Sequence, residues 1–154
     1  MNDPRRHLPV IGWREYVGLP DLGLRHIKAK IDTGARSSSL HAFDIEEFTD
    51  EDGRPCVRFK VHPRQRDDRY VVELAAPLLE VRHVRSSSGH GDHRPVISTT
   101  LELYGRRWPI ELTLADRTEM GFRMLVGREA VRGRFLIDPG QSYCARKHKR
   151  HHPS

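Results

Sequence analysis

Apolar side chains return at every second position through most of this chain. One row is Ile27, Ala29 and Ile31, another is Val57, Phe59 and Val61, and a third is Tyr70, Val72 and Leu74. Ile97, Thr99, Leu101 and Leu103 continue the pattern, and Trp108, Ile110, Leu112 and Leu114 complete it. Successive side chains of a strand point to opposite faces, so this period builds strands with one buried face, whereas a helix needs apolar residues at 3.6-residue spacing. The expected fold class is all-β. Turn residues separate the rows at Asp52-Gly53, residues 63–68, residues 86–93 and Tyr104-Gly105. Pro77, Pro95, Pro109 and Pro139 suit strand starts and edges, where a missing amide hydrogen is tolerated. One short helix is expected at residues 128–132, after Met124-Leu125-Val126-Gly127 and before Phe135-Leu136-Ile137 resumes a strand.

A length of 154 residues fits one domain with a real core. Hydrophobic content of 36% beside 31% charged residues is that of a globular protein with a polar surface. No apolar run reaches the roughly 18 residues that a bilayer span needs, so no membrane partner is expected. Residues 1–7 are polar and expected to be disordered, and residues 8–12 are too short for a secretory core, which makes the cytoplasm the expected location. Cys56 and Cys144 belong to no Cys-x-x-Cys pair and read as inert thiols. Much of the net charge of +6 comes from Arg146, Lys147, Lys149 and Arg150. These place a basic, disordered tail at residues 144–154, with only nonspecific attraction for phosphates and no specific nucleic-acid partner. The folded domain is expected to span residues 8–143.

Chemistry is concentrated at Asp32-Thr33-Gly34-Ala35, which follows the alternating stretch ending at Ile31. A carboxylate thus arrives at a strand end and enters a tight turn of small residues, as the acid of an aspartic peptidase does. Such sites pair two carboxylates that share one proton and activate a water, because two like charges that close do not both ionise cheaply. The glycine lets backbone approach, and the threonine locks the turn. The bland alternative is an ordinary surface turn. Only one such motif is present, so a peptidase would need two chains. Ser37, Ser38 and Ser39 lack the Gly-x-Ser-x-Gly elbow of a serine hydrolase and read as turn and strand-entry residues.

The order of this motif, a Ser/Gly-rich hairpin tip at Ser86-Ser87-Ser88-Gly89, and Leu125-Val126-Gly127-Arg128 resembles the retropepsins, single-lobe aspartic peptidases. More narrowly, Ile11-Gly12-Trp13-Arg14-Glu15, the stretch from Lys30 to Ala42 and the stretch from Met120 to Arg128 resemble a bacterial family named ATP-dependent zinc proteases, which is linked to RimK-type glutamate ligases. The resemblance covers about residues 8–143. It implies a retropepsin-like closed β-barrel and a homodimer whose paired Asp32 residues cleave a peptide. Asp32, Thr33 and Gly34 would be catalytic. Ala35, Arg36, Arg123, Gly127 and Arg128 would border the substrate, with Ser88 and Gly89 at the tip of a flap over it. The ligase link implies a glutamate-tailed substrate and a RimK-type partner.

Cofactors are not expected. No Gly-x-x-x-x-Gly-Lys-Ser/Thr loop is present to cradle ATP, and no His-Glu-x-x-His helix to hold zinc, for which the candidates would be His90, Asp92 and His93. Viral retropepsins carry an acidic residue where this chain has Arg36, so Arg36 and Arg128 bring like charges together unless Glu129 lies between them. Arg36, Arg123 and Arg128 are expected either to form a basic rim for acidic peptides or to pair with Glu15, Glu119 or Glu129. Two other function classes stay open: a catalytically silent module that binds an acidic tail or a ligase, and a zinc hydrolase.

Overall fold

The computed structural model describes residues 7–64, 67–85, 91–116 and 121–151, without the side chains of residues 84, 85, 91, 92 and 148–151. The alternating rows become β1 (Val10–Leu19), β2 (Leu24–Asp32), β3 (Ser38–His41), β4 (Phe43–Thr49), β5 (Pro55–Val61), β6 (Val72–Pro77), β7 (Glu80–Arg85), β8 (Gly91–Leu103), β9 (Arg106–Ala115), β10 (Met124–Gly127) and β11 (Leu136–Ser142). Strands β1, β2, β10, β3, β9 and β8 follow one another around a closed six-stranded barrel, and the Gly18–Glu102 pair joins β8 back to β1. Strand β11 adds to β1 in parallel, and β7 adds to β8 as the outer arm of a hairpin. Strands β4, β5 and β6 form a separate sheet.

Barrel closure follows from local chemistry. Tyr104 and Gly105 both take positive φ (61° and 72°), the geometry of a two-residue turn whose twist matches its flanking strands, and they join β8 to β9 with Leu103 opposite Arg106. In β2, His26 sits at φ 56° where the register with β1 shifts, so burial passes from Leu24 to Ile27 before the period of two resumes through Ala29 and Ile31. The inward rows are fully buried: Ile27, Ala29, Ile97, Leu101, Leu112, Leu114 and Val126 are each at most 1% exposed. Val57 and Phe59 of the second sheet are equally buried in the same core. Tyr70 departs from its expected row. It lies before β6 and is 50% exposed, its ring stacked beneath the Arg64 guanidinium and its carbonyl 3.3 Å from His62 Nδ1.

Among the described residues two α-helices are present rather than one. The expected turn is α1 (Arg128–Val131), and the basic segment expected to be unstructured is helical as α2 (Cys144–His151). Its cause is Glu15, a fully buried side chain on β1. The Glu15 carboxylate accepts hydrogen bonds from the amides of Cys144 (2.8 Å) and Ala145 (3.0 Å), which open α2, and from Gly12 N (2.7 Å). A helix start leaves amides without intrahelical partners, and a carboxylate is their best acceptor because the helix dipole favours negative charge there. Tyr16 stacks on Tyr143 at 4.9 Å and takes the Arg146 guanidinium on its ring, closing the same joint. Burial raises the pKa of both thiols, Cys56 with Asp50 beside it and Cys144 with Glu15 beside it. Glu15→Ala leaves three amides without their acceptor and is expected to cost about 2–3 kcal/mol. Urea unfolding measures that cost, and faster amide exchange at Cys144 and Ala145 locates it.

Where β3 meets the second sheet, the His41 ring is buried, with ring centroids of Phe43 and His62 at 6.4 and 6.1 Å and Asp116 Oδ1 at 3.7 Å from Nδ1. Burial lowers its pKa below the ordinary 6.5, with Asp116 acting in the opposite direction. Below pH 6.5 the unfolded chain therefore takes up the proton before the folded one does, and stability falls with pH until the folded-state value is passed. His41→Asn is expected to flatten the dependence of Tm on pH over that interval, as thermal unfolding in a pH series would read.

Candidate active site

Asp32 ends β2, and its Oδ1 accepts the Gly34 amide at 2.9 Å, while the Ala35 amide donates to the Asp32 carbonyl at 3.2 Å. These bonds curl residues 32–35 into a turn that carries the carboxylate out of the sheet. Beneath it runs β10, parallel to β2, with Gly127 paired to Asp32. Gly127 has extended backbone (φ −84°, ψ 170°), so it is required for space rather than for torsional freedom. A Cβ there would stand 2.5 Å from the Ser37 carbonyl oxygen and 2.8 Å from that of Arg36. Its amide donates to Ser38 Oγ (3.1 Å). The next two amides, Arg128 and Glu129, donate to the carbonyls of Ala35 (2.8 Å) and Arg36 (3.2 Å), and Arg128 Nη1 reaches the Gly34 carbonyl at 3.2 Å. The acid loop is thus stitched to the start of α1 almost entirely by main chain.

A cleft of about 310 Å³ opens beside Asp32, with Ser38, Ser39 and Thr113 on the barrel side and Arg82 and Arg94 on the β7–β8 hairpin. A second chamber of about 540 Å³ continues from it, bordered by Arg36, Ile110, Glu111 and Glu129. Ser37, Ser38 and Arg82 line both. Arg82 donates through Nε to Glu80 Oε1 (2.7 Å), through Nη1 to Ser37 Oγ (3.2 Å) and through Nη2 to Glu111 Oε2 in a short bond. The bond to Glu111, then that to Glu80, raises its pKa against the opposing effect of burial. Arg94 lies directly across the hairpin from Arg82. Ser39 Oγ is buried at the cleft wall without a hydrogen-bond partner among the described residues.

The residues expected at this site fall into three groups. Asp32, Gly34, Ala35, Gly127 and Arg128 meet in the acid loop and its support, and Thr33 is exposed on that loop. Arg36 borders the second chamber, its Nε 4.0 Å from Glu129, which also lies 3.6 Å from Arg132. Arg123 stands apart from the expected rim. It precedes β10, at the end away from Gly127, where Asp68 (2.7 Å) and the Arg64 carbonyl (3.2 Å) hold its guanidinium. That bond pulls the Asp68 pKa down. Ser88, Gly89 and His90 lie outside the described residues, as does the Asp92 side chain. His93 pairs across the hairpin with His83, ring centroids 4.4 Å apart and both exposed. Among the described residues no group of three His, Cys, Asp or Glu is placed to hold a metal. Arg82, Glu111 and Arg94 were missed. Their charges are ordinary in sequence and acquire meaning only from hairpin register.

A family model described as RimB-like, retropepsin-like aspartic endopeptidase RimB, matches residues 10–148. A protein of Shewanella pealeana named probable alpha-L-glutamate ligase is 42% identical over 135 residues, 88% of this chain and 29% of that protein. One of the same name from Parasynechococcus marenigrum is 48% identical over 134 residues, 87% of this chain and 28% of that protein. The chain therefore spans less than a third of the length of these relatives. The crystal structure of Lpg0085, a Legionella pneumophila protein of unknown function, superposes with a TM-score of 0.70 at 27% identity, over 89% of this chain and 98% of that one.

Gly127→Ala forces a methyl against backbone and is expected to lose about 1–3 kcal/mol of stability. Gly34→Ala meets only Asp32 Oδ1, at 3.2 Å, and should lose much less, a contrast that chemical denaturation of the two variants measures.

Proposed function

Because this chain belongs to the RimB-like family of retropepsin-like aspartic endopeptidases, we propose that it hydrolyses peptide bonds with a water held between Asp32 and the Asp32 of a second copy. The observation that carries this reading is the setting of Asp32: a carboxylate at a strand end, fixed by main-chain bonds, open to a cleft beneath a β-hairpin. One carboxylate takes a proton from the water while the other, protonated, donates to the scissile carbonyl. A two-fold axis brings the same residue against itself, so one acid per chain suffices. In this reading Thr33, exposed beside it, braces the partner's loop.

Acidic protein ends, glutamate tails among them, are the proposed substrates. Arg82 and Arg94 give the Asp32 chamber a cationic wall, and the relatives that contain a stretch like this chain bear a glutamate ligase name. That name also supports a second reading, in which the domain binds an acidic tail or a ligase without cutting it.

Asp32→Asn is expected to reduce cleavage of a pentaglutamate-tailed peptide about a thousandfold with the fold intact. When the variant is mixed with unmodified chains, activity should fall as the square of the unmodified fraction, because each site needs two acids. Turnover unchanged by the substitution would remove the aspartate mechanism, and binding without turnover in either protein would select the second reading.

A further inference from the structure

We propose that Arg82 reads the carboxylate of an acidic substrate side chain, and that Glu111 and Glu80 occupy it as built-in stand-ins until a peptide displaces one of them. The inference rests on the acidic-peptide reading above but not on hydrolysis.

Arg82 is the one arginine shared by the linings of both chambers, so a peptide running from beside Asp32 into the second chamber passes over its guanidinium. That guanidinium carries two carboxylates and a hydroxyl, on Glu80, Glu111 and Ser37. Glu80 and Glu111 are about half exposed, at 49% and 55%, and the arginine itself is 33% exposed. Ion pairs this wet hold their partners weakly and are free to exchange. A substrate carboxylate taking the place of Glu111 exchanges one charge-assisted bond for another, and the released glutamate returns to water. A glutamine side chain offers no such replacement, since a neutral amide oxygen is a poorer acceptor for the guanidinium fork.

Two further features agree. Arg82 and Arg94 are direct cross-strand partners, which sets two guanidinium-bearing residues at neighbouring positions of the hairpin. Both also line the chamber that holds Asp32, and Ser37, bonded to Arg82, closes the acid loop. A side chain anchored on Arg82 therefore lays its backbone along the wall next to the acid.

The test is binding of labelled pentaglutamate and pentaglutamine to the full chain at constant physiological ionic strength, with Asp32→Asn in every variant so that nothing is cut. Glu111→Gln is expected to tighten pentaglutamate about fivefold and leave pentaglutamine unchanged, whereas Arg82→Gln should weaken pentaglutamate about tenfold and abolish the preference. Adding Glu111→Gln to Arg82→Gln should then change nothing. A preference that survives in Arg82→Gln, weaker pentaglutamate binding in Glu111→Gln, or no binding of either peptide would overturn the proposal. If Arg82→Gln does not fold, Glu111→Gln, a substitution of an exposed side chain, decides alone. Arg82-dependent binding by a chain that never cleaves would sink the peptidase reading and leave this one standing. Equal cleavage of glutamate and glutamine tails would do the reverse.

Discussion

The contact between Gly127 and the backbone of Arg36 and Ser37 sets the position of nearly everything else. Strand β10 lies between β2 and β3 in the barrel wall, so how near Gly127 comes to the acid loop also decides how the wall closes. Side-chain-free packing leaves the amides of Arg128 and Glu129 within reach of the Ala35 and Arg36 carbonyls. These are the first amides of α1, which have no partners inside the helix, and the loop carbonyls equally lack a strand to bond. One close approach satisfies both sets and leaves Asp32 facing the cleft with its turn already formed.

Three carboxylates show how the chain matches the solvation of negative charge to burial. Glu15 is out of water altogether, and three main-chain amides replace its hydration. Asp32, at the cleft, keeps one amide from Gly34 and is otherwise available to a ligand. Glu111, half in solvent, is held by the guanidinium of Arg82. The fixed dipoles serve the structural acid, and the exchangeable partner serves the one beside the cleft. Rigidity and adaptability are thereby placed at different depths of the same small barrel.

What could be read in the sequence was whatever depends on near neighbours. The alternating rows and the Tyr104-Gly105 turn led to the all-β class because periodicity and turn preference act over a few residues, whereas the closed barrel and the support of the acid loop were implied by the family resemblance that the order of Asp32 and Gly127 carries. Helix α2 escaped because its stabilising carboxylate lies 129 residues away, and a basic segment without that partner reads as disordered. Arg123 was placed at the rim because Asp68, which draws it elsewhere, lies 55 residues distant with no pattern linking them. Arg82 needed the strand register of the hairpin before its two glutamates and its serine could be seen to converge. Tyr70 fitted an alternation but sits where the chain turns, a tertiary choice that periodicity does not carry.

The parallel pairing of β1 with β11 has an implication for how the protein is made. On a ribosome β1 emerges early and finds β2 at once, yet the part of its other edge from Val10 to Arg14 stays bare until residue 142 has left the exit tunnel. An open strand edge is a template for pairing with other nascent chains. The buried Glu15 sits on that same strand and likewise waits for its helix, so the barrel passes through most of its synthesis with an unmatched charge next to an unpaired edge. Translation speed over the last strand and helix thus governs how long the chain is open to misassociation.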